Sequence, residues 1–160
     1  MGEESKSHKS NMISTVRILK AVKEDIPRIL RLYSQPDIDN GQTLGLKDAL
    51  VIYERFSQYP NYFLYVTKIE EKIIGTFALL IMDNLAHQGK PSAVVEDVVV
   101  DSGYRSQGIG HLMIEFAIDI CKQYGCYKLA LSSNIKREHA HRFYENLGFK
   151  KHGFSYLIEL

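Results

Sequence analysis

Between Val100 and Leu112 the chain reads Asp-Ser-Gly-Tyr-Arg-Ser-Gln-Gly-Ile-Gly-His, and here residue type and spacing point most directly to chemistry. A β-branched run, Val98, Val99 and Val100, precedes it, and a strongly amphipathic stretch opens at Gly108 and Gly110. A strand that ends in a short polar turn and re-enters a helix at glycines presents unpaired N–H groups and the positive end of a helix dipole to one point in space. That combination attracts an anion, and Arg105 adds a fixed positive charge within reach of it. The chemistry so indicated is retention of a phosphate-bearing ligand. Two carboxylates, Glu96 and Asp97, stand just upstream on the same strand, and Tyr144 lies on a later aromatic stripe.

The elements that must position these groups follow from hydrophobic periodicity. Residues 15–19 read as a short strand, and Ile26, Ile29, Leu30 and Tyr33 place an amphipathic helix over 23–33. Pro36 and the Gly41 to Gly45 region mark a loop, and a second helix spans 46–57, ending before Pro60. Residues 62–69 and 73–82 form a hairpin around Glu70, Glu71 and Lys72, and a loop with His87, Gly89 and Pro91 leads to a long strand over 92–100. Ile109, Leu112, Met113, Phe116, Ala117, Ile120, Cys121 and Tyr124 step by three and four until Gly125 ends the helix. A strand over 128–133, a helical stripe of Ala140, Phe143, Tyr144 and Leu147 closed by Gly148, and one or two strands over 149–160 complete the order.

This order predicts a mixed α/β sheet with at least one βαβ crossover. A doubly wound dinucleotide fold is excluded, because hairpin strands precede the crossover and Met113 stands where the last glycine of GxGxxG would be. Composition bounds the rest. The 160 residues suit a single domain over 13–160, preceded by a polar leader over 1–12 expected to be disordered, with Met12 as an alternative start. A net charge of +1 gives no electrostatic footprint for nucleic acid or an anionic membrane. The longest apolar run, 76–82, is too short to cross a bilayer, and Lys6 breaks the myristoylation pattern after Gly2. Cys121 and Cys126 are too far apart for a CxxC pair, and no clustered partners accompany His87 or His152, so no metal site is expected. The expectation is a cytoplasmic protein.

Arg105-Ser-Gln-Gly108-Ile-Gly110 fits the R/Q-x-x-G-x-G/A signature, and the sequence resembles the GNAT superfamily of N-acetyltransferases over roughly residues 73–160. Three further features carry the resemblance. They are the Glu96-Asp97-Val98-Val99-Val100 strand, Asn134 after the fifth strand, and the run from Ala140 through Phe143 and Tyr144 to Phe149. The resemblance implies a central mixed sheet of six or seven strands with about four helices, and acetyl-CoA as co-substrate. It implies that Ser106, Gln107, Gly108, Ile109, Gly110 and His111, with Arg105, hold the pyrophosphate. Val98, Val99 and Val100 would offer main-chain groups to the pantetheine arm and acetyl carbonyl, with Asn134 and Phe143 as further ligand contacts.

Tyr144 matches the family position whose phenol protonates the departing thiolate, although on periodicity alone it is one more core aromatic. A protonated amine cannot attack a thioester, so something must take its proton; Glu96 is the preferred base, directly or through water, with Asp97 as alternative or as a substrate-orienting group, and both read equally as substrate-binding or structural carboxylates. Strand alternation sends these two to opposite faces unless a bulge intervenes. Asn134 reads equally as a pantetheine contact or as a turn residue.

For the acceptor, the sequence points two ways. Val95 to Val100 and Tyr124 to Leu129 look like glucosamine-6-phosphate N-acetyltransferases, whereas Leu131 to Tyr144 is closer to aminoalkylphosphonate N-acetyltransferases. The expected acceptor is a small primary amine, phosphorylated or not. Protein or peptide N-acetylation, a non-catalytic acetyl-CoA sensor and a nucleotide-phosphate binder are the alternatives. A homodimer through the apolar C-terminal tail is the expected assembly.

Overall fold

The computed structural model describes residues 15–158; the expected leader over 1–12 and the alternative start at Met12 lie outside them. Five strands, β1 (Val16–Lys20), β2 (Tyr62–Ile69), β3 (Lys72–Met82), β4 (Ser92–Val100) and β5 (Lys128–Ala130), form one sheet in the order β1-β2-β3-β4-β5. The first four are mutually antiparallel, and β5 joins β4 in parallel. Four α-helices accompany them: α1 (Ile26–Tyr33), α2 (Leu46–Phe56), α3 (Ile109–Gln123) and α4 (Glu138–Asn146). The connection β4–α3–β5 is the expected crossover, and the mixed α/β class is borne out. The chain divides into two compact units, Met1–Ala130 and Leu131–Leu160.

In the first unit the sheet is covered by helices chosen by their apolar stripes. Ile26, Ile29 and Leu32 of α1 are buried with Ala49 of α2 and Val66, Ile73 and Val99 of the sheet. Pro27 enters α1 in its first turn, where no N–H is needed. Asp25, just before it, accepts from Lys68 Nζ (2.8 Å) and from the Val22 N–H (3.0 Å), so a largely buried ion pair fixes the start of the helix. Against the other face lies α3, whose Met113, Ile114, Ala117 and Cys121 are buried and whose Phe116 meets Tyr65 and Phe77 edge-on. Gly75 permits that close approach: a Cβ there would stand 2.9 Å from Met113 Sδ. The helix ends as its sequence foretold. Gly125 takes φ +69° while the Cys126 N–H reaches back to the Cys121 carbonyl (2.9 Å). Burial pushes the Cys121 thiol up to about 12, which suits an inert core residue.

Two expectations about the sheet need correction. The strand expected over 128–133 is only Lys128–Ala130, and residues 149–158 form no strand, so the described sheet has five strands rather than six or seven. The reason is that apolar composition gives a segment strand propensity, whereas a strand exists only once its N–H and C=O groups enter a ladder with a partner, which the segment's own sequence does not specify. Phe154, Tyr156, Leu157 and Ile158 are instead 82–89% exposed.

In the second unit α4 carries Phe143 and Tyr144, whose rings meet at 5.1 Å. Tyr144 also packs edge-on against Phe149 at 5.8 Å.

Candidate functional site

The turn after β4 is built by side chains that grip its own backbone. Asp101 N–H donates to the Ile74 carbonyl (2.8 Å), which keeps the end of β4 against β3. The Asp101 carboxylate caps the short 3-10 turn Ser102–Tyr104 by accepting from Gly103 N–H (2.9 Å). Gln107 donates from Nε2 to the Gly103 carbonyl (3.1 Å), and its Oε1 is buried without a partner among the described residues. Ser106 and Gly108 both take left-handed backbone, φ +61° and +88°. For Gly108 this requires glycine in earnest, since an L side chain there costs roughly 1–2 kcal/mol. From Ile109 the helix starts, and the Leu112 N–H already bonds the Gly108 carbonyl (3.1 Å). The N–H groups of Ile109, Gly110 and His111 precede that first closed turn and so have no acceptor within the helix. These three N–H groups stand at the start of α3, directly after the left-handed turn at Ser106 and Gly108.

The Arg105 guanidinium is engaged within the protein itself. It donates to the Val100 carbonyl (3.1 Å), to Gln35 Oε1 (3.0 Å) and to Asp37 Oδ1 (3.1 Å). It braces the turn against the loop after α1. Gln35 completes the brace. Its Oε1 also accepts from Ser102 N–H (2.8 Å), and its Nε2 donates to the carbonyls of Leu32 (3.0 Å) and Val100 (3.3 Å). Gln35 stands 67 residues from Ser102 in sequence, and no local pattern could have marked it.

On β4 the bulge that alternation left open is present. Glu96 pairs with Ala78 and Val99 with Thr76, so two residues, Asp97 and Val98, oppose the single Phe77. Asp97 absorbs the extra residue at φ +52°, a conformation Asp tolerates better than most. The consequence is a change of parity. Glu96 and Val99 share the face of the sheet that α1 covers, although they are three apart, and both Glu96 and Asp97 are exposed. Their charges act on the same aromatic neighbours. The Tyr62 phenol is raised by burial and then by Asp97 and Glu96, and that of Tyr33 by burial and then by Asp97. Phe56 stacks on Tyr62 at 4.4 Å and Tyr59 meets it edge-on at 6.1 Å. Sequence reading placed Tyr33 and Tyr62 on a helix stripe and a strand, and missed that they wall an acidic patch.

Between the turn and the patch, β4 has an open edge. Its ladder with β5 covers only Ser92–Val94, and from Val95 onward no described strand pairs that side. Of the three valines expected to offer main-chain groups, Val100 already has its carbonyl occupied by Arg105 and Gln35, whereas Val98 and Val99 lie on the open stretch.

The second unit holds the remaining candidates. Asn134 Oδ1 accepts from Lys136 N–H (2.9 Å), so its carboxamide oxygen closes an Asx-turn before α4. The Asn134 carbonyl meets both Arg137 N–H (2.9 Å) and His141 Nε2 (2.9 Å). Phe143 and Tyr144 are half-buried; burial raises the Tyr144 phenol, with Arg137 opposing, so it holds its proton at neutral pH. Ser133 Oγ is buried without a partner among the described residues.

A glycine turn at a helix start, an open strand edge and an acidic patch thus lie along one strand. The chain belongs to the acetyltransferase (GNAT) family, whose pattern it matches over residues 26–149. It is similar to the glucosamine 6-phosphate N-acetyltransferase of Trypanosoma brucei brucei, 38% identical over 81 residues that cover 51% of this chain and 53% of that protein. It is also similar to the aminoalkylphosphonate N-acetyltransferase of Salmonella typhimurium, 30% identical over 97 residues covering 61% of this chain and 62% of that one. The chain thus spans about half to three-fifths of the length of these two relatives. Among solved structures, the glucosamine-6-phosphate N-acetyltransferase of Arabidopsis thaliana superposes with a TM-score of 0.77 at 26% identity, covering 91% of this chain and 98% of that one. A putative acetyltransferase from Agrobacterium tumefaciens reaches a TM-score of 0.83 at 26% identity, with 90% and 99% covered. Among the described residues no helix is long and apolar enough to cross a membrane.

Proposed function

We propose that this protein is an acetyl-CoA-dependent N-acetyltransferase acting on the primary amine of a small acceptor, by direct attack with both substrates bound. The observation that carries the reading is the continuity of β4. One strand joins a bulge bearing two exposed carboxylates, an open edge and a glycine turn that leads into a helix N-terminus.

Acetyl-CoA, when bound, supplies an acetyl group activated as a thioester. The main-chain N–H groups of Ser106, Gln107, Gly108, Ile109, Gly110 and His111 would face its diphosphate, aided by the dipole of α3. Arg105, which braces this turn, would add its positive charge beside the same diphosphate. Main-chain groups of Val98 and Val99 would hold the amide-bearing arm, and an N–H there would stabilise negative charge on an acyl oxygen. Asn134 and Phe143 are assigned to the same ligand's surface. An ammonium of pKa about 10 must lose a proton before it can attack, and Glu96 is assigned as its acceptor, directly or through water, with Asp97 as second carboxylate. Tyr62 and Tyr33 would flank the incoming cation with aromatic surface. Tyr144, which retains its phenolic proton, is assigned as donor to the departing sulfur.

The names of the relatives, glucosamine 6-phosphate and aminoalkylphosphonate N-acetyltransferases, support a phosphorylated or phosphonylated amine as acceptor. The test is free-thiol release from acetyl-CoA across an amine panel that includes glucosamine 6-phosphate and aminoalkylphosphonates. Thiol release with at least one of these amines is expected, and a protein that neither binds acetyl-CoA nor releases thiol overturns the reading. The exposed Phe154, Tyr156, Leu157 and Ile158 support a homodimer through the tail. Light scattering at micromolar concentration should give twice the mass of one chain, and a monomer would remove the assembly from the proposal.

A further inference from the structure

We propose that a small oxyanion, a phosphate or carboxylate group, binds in a cleft between α1 and the turn after β4, held by Arg28 and Arg31. The cleft has a volume of about 100 Å³, with Ile73, Asp101 and Ser102 opposite the helix. That is well under the roughly 300–1,000 Å³ of sites for whole small molecules, so it suits one anionic group rather than a nucleotide.

The helix side is a single stripe. Arg28 and Arg31 follow at the three-residue spacing that puts helical side chains on one face, and Gln35 lines the cleft from the loop just after the helix. Neither guanidinium has an ion-pair or hydrogen-bond partner among the described residues, whereas Arg17, Arg105 and Arg142 each meet a carboxylate. Two like charges at this spacing repel each other, and an oxyanion between them would remove the repulsion while matching the planar fork of each guanidinium. Asp101 is the acidic residue on the wall, and its Oδ1 is engaged in capping Gly103 N–H (2.9 Å). Ser102 adds a hydroxyl on that wall.

The wall is also part of the braced turn. Gln35 lines the cleft, and its Oε1 accepts from both Ser102 N–H (2.8 Å) and Arg105 (3.0 Å). An anion seated against Arg28, Arg31 and Ser102 would therefore stiffen the segment that leads to Gly108. That coupling rests on the acetyl-CoA reading; the anion site itself does not.

Inorganic phosphate is the probe, titrated by calorimetry into the full chain in chloride at constant ionic strength. Saturable binding is expected, weakened at least tenfold by R28Q/R31Q and less by R28K/R31K, which keeps charge but loses the fork. Circular dichroism in chloride should be unchanged, because both arginines are partly or fully exposed; the exposed R31Q alone provides the comparison should the pair fold poorly. Absence of saturable binding, or binding that survives R28Q/R31Q and so belongs to the glycine turn, overturns the site. Two arms separate the source of the group. If it belongs to the acceptor, R28Q/R31Q raises KM for a phosphorylated amine and leaves its unphosphorylated counterpart unaffected. If it is a free ion, phosphate tightens acetyl-CoA binding to the wild type but not to R28Q/R31Q. Should thiol release fail for every amine, the acetyltransferase reading falls while the phosphate titration still decides this site.

Discussion

The glycine turn after β4 and the acidic patch at the β4 bulge lie on one strand, yet they are made in different ways. At the turn, the distinctive feature is the backbone. Left-handed φ at Ser106 and Gly108 and the open first turn of α3 gather N–H groups, and the side chains of Asp101, Gln107, Arg105 and Gln35 hold that turn in shape. At the bulge, the distinctive feature is a pair of side chains beside a single inserted residue, and Asp97 and Glu96 both raise the Tyr62 phenol. In the proposed reaction the turn would make many weak main-chain contacts to a pyrophosphate, whereas the patch would take a proton onto one atom.

Substitutions should separate the two. The largest effect is expected from neutralising both carboxylates: E96Q/D97N should lower kcat by about 10² to 10⁴ while leaving the acetyl-CoA Kd near its wild-type value. A parallel loss of acetyl-CoA affinity would mean that the patch and the turn are not separable. G108V should do the reverse. Its strained left-handed φ costs roughly 1–2 kcal/mol of stability, and acetyl-CoA binding by calorimetry should fall at least tenfold. Y144F should reduce kcat about tenfold or more with acetyl-CoA binding intact. Because burial raises this phenol, the wild type should lose no activity through it below the ordinary tyrosine range near ~10, and an alkaline limb centred well below that value would assign it to another group.

Two smaller, structural effects test the supports. Q35A removes the acceptor shared by Ser102 and Arg105 and should destabilise by about 1–3 kcal/mol in urea melts, weakening acetyl-CoA binding without altering kcat at saturation. G75A pushes a methyl to within 2.9 Å of Met113 Sδ and should cost about 1–3 kcal/mol with little change in the acceptor KM. If Q35A left both stability and acetyl-CoA affinity untouched, the brace would have no function in the turn.

What the sequence determined by itself is what depends on near neighbours. The helical stripe from Ile109 to Tyr124, its stop at Gly125, the β4–α3–β5 crossover and the glycine turn all follow from periodicity and glycine placement within about thirty residues. The family followed from the same local run, since Arg105, Gly108 and Gly110 stand at fixed spacing. The tertiary structure decided the rest. Whether Glu96 and Asp97 would face one way depended on the register of β4 against β3, which alternation along one strand cannot reveal. The binding of Arg105 by Asp37 and Gln35 depended on a loop some seventy residues away. The tail over 149–158, apolar enough to read as strand, lacks one because pairing requires an edge to pair with, and a strand's sequence does not contain its partner.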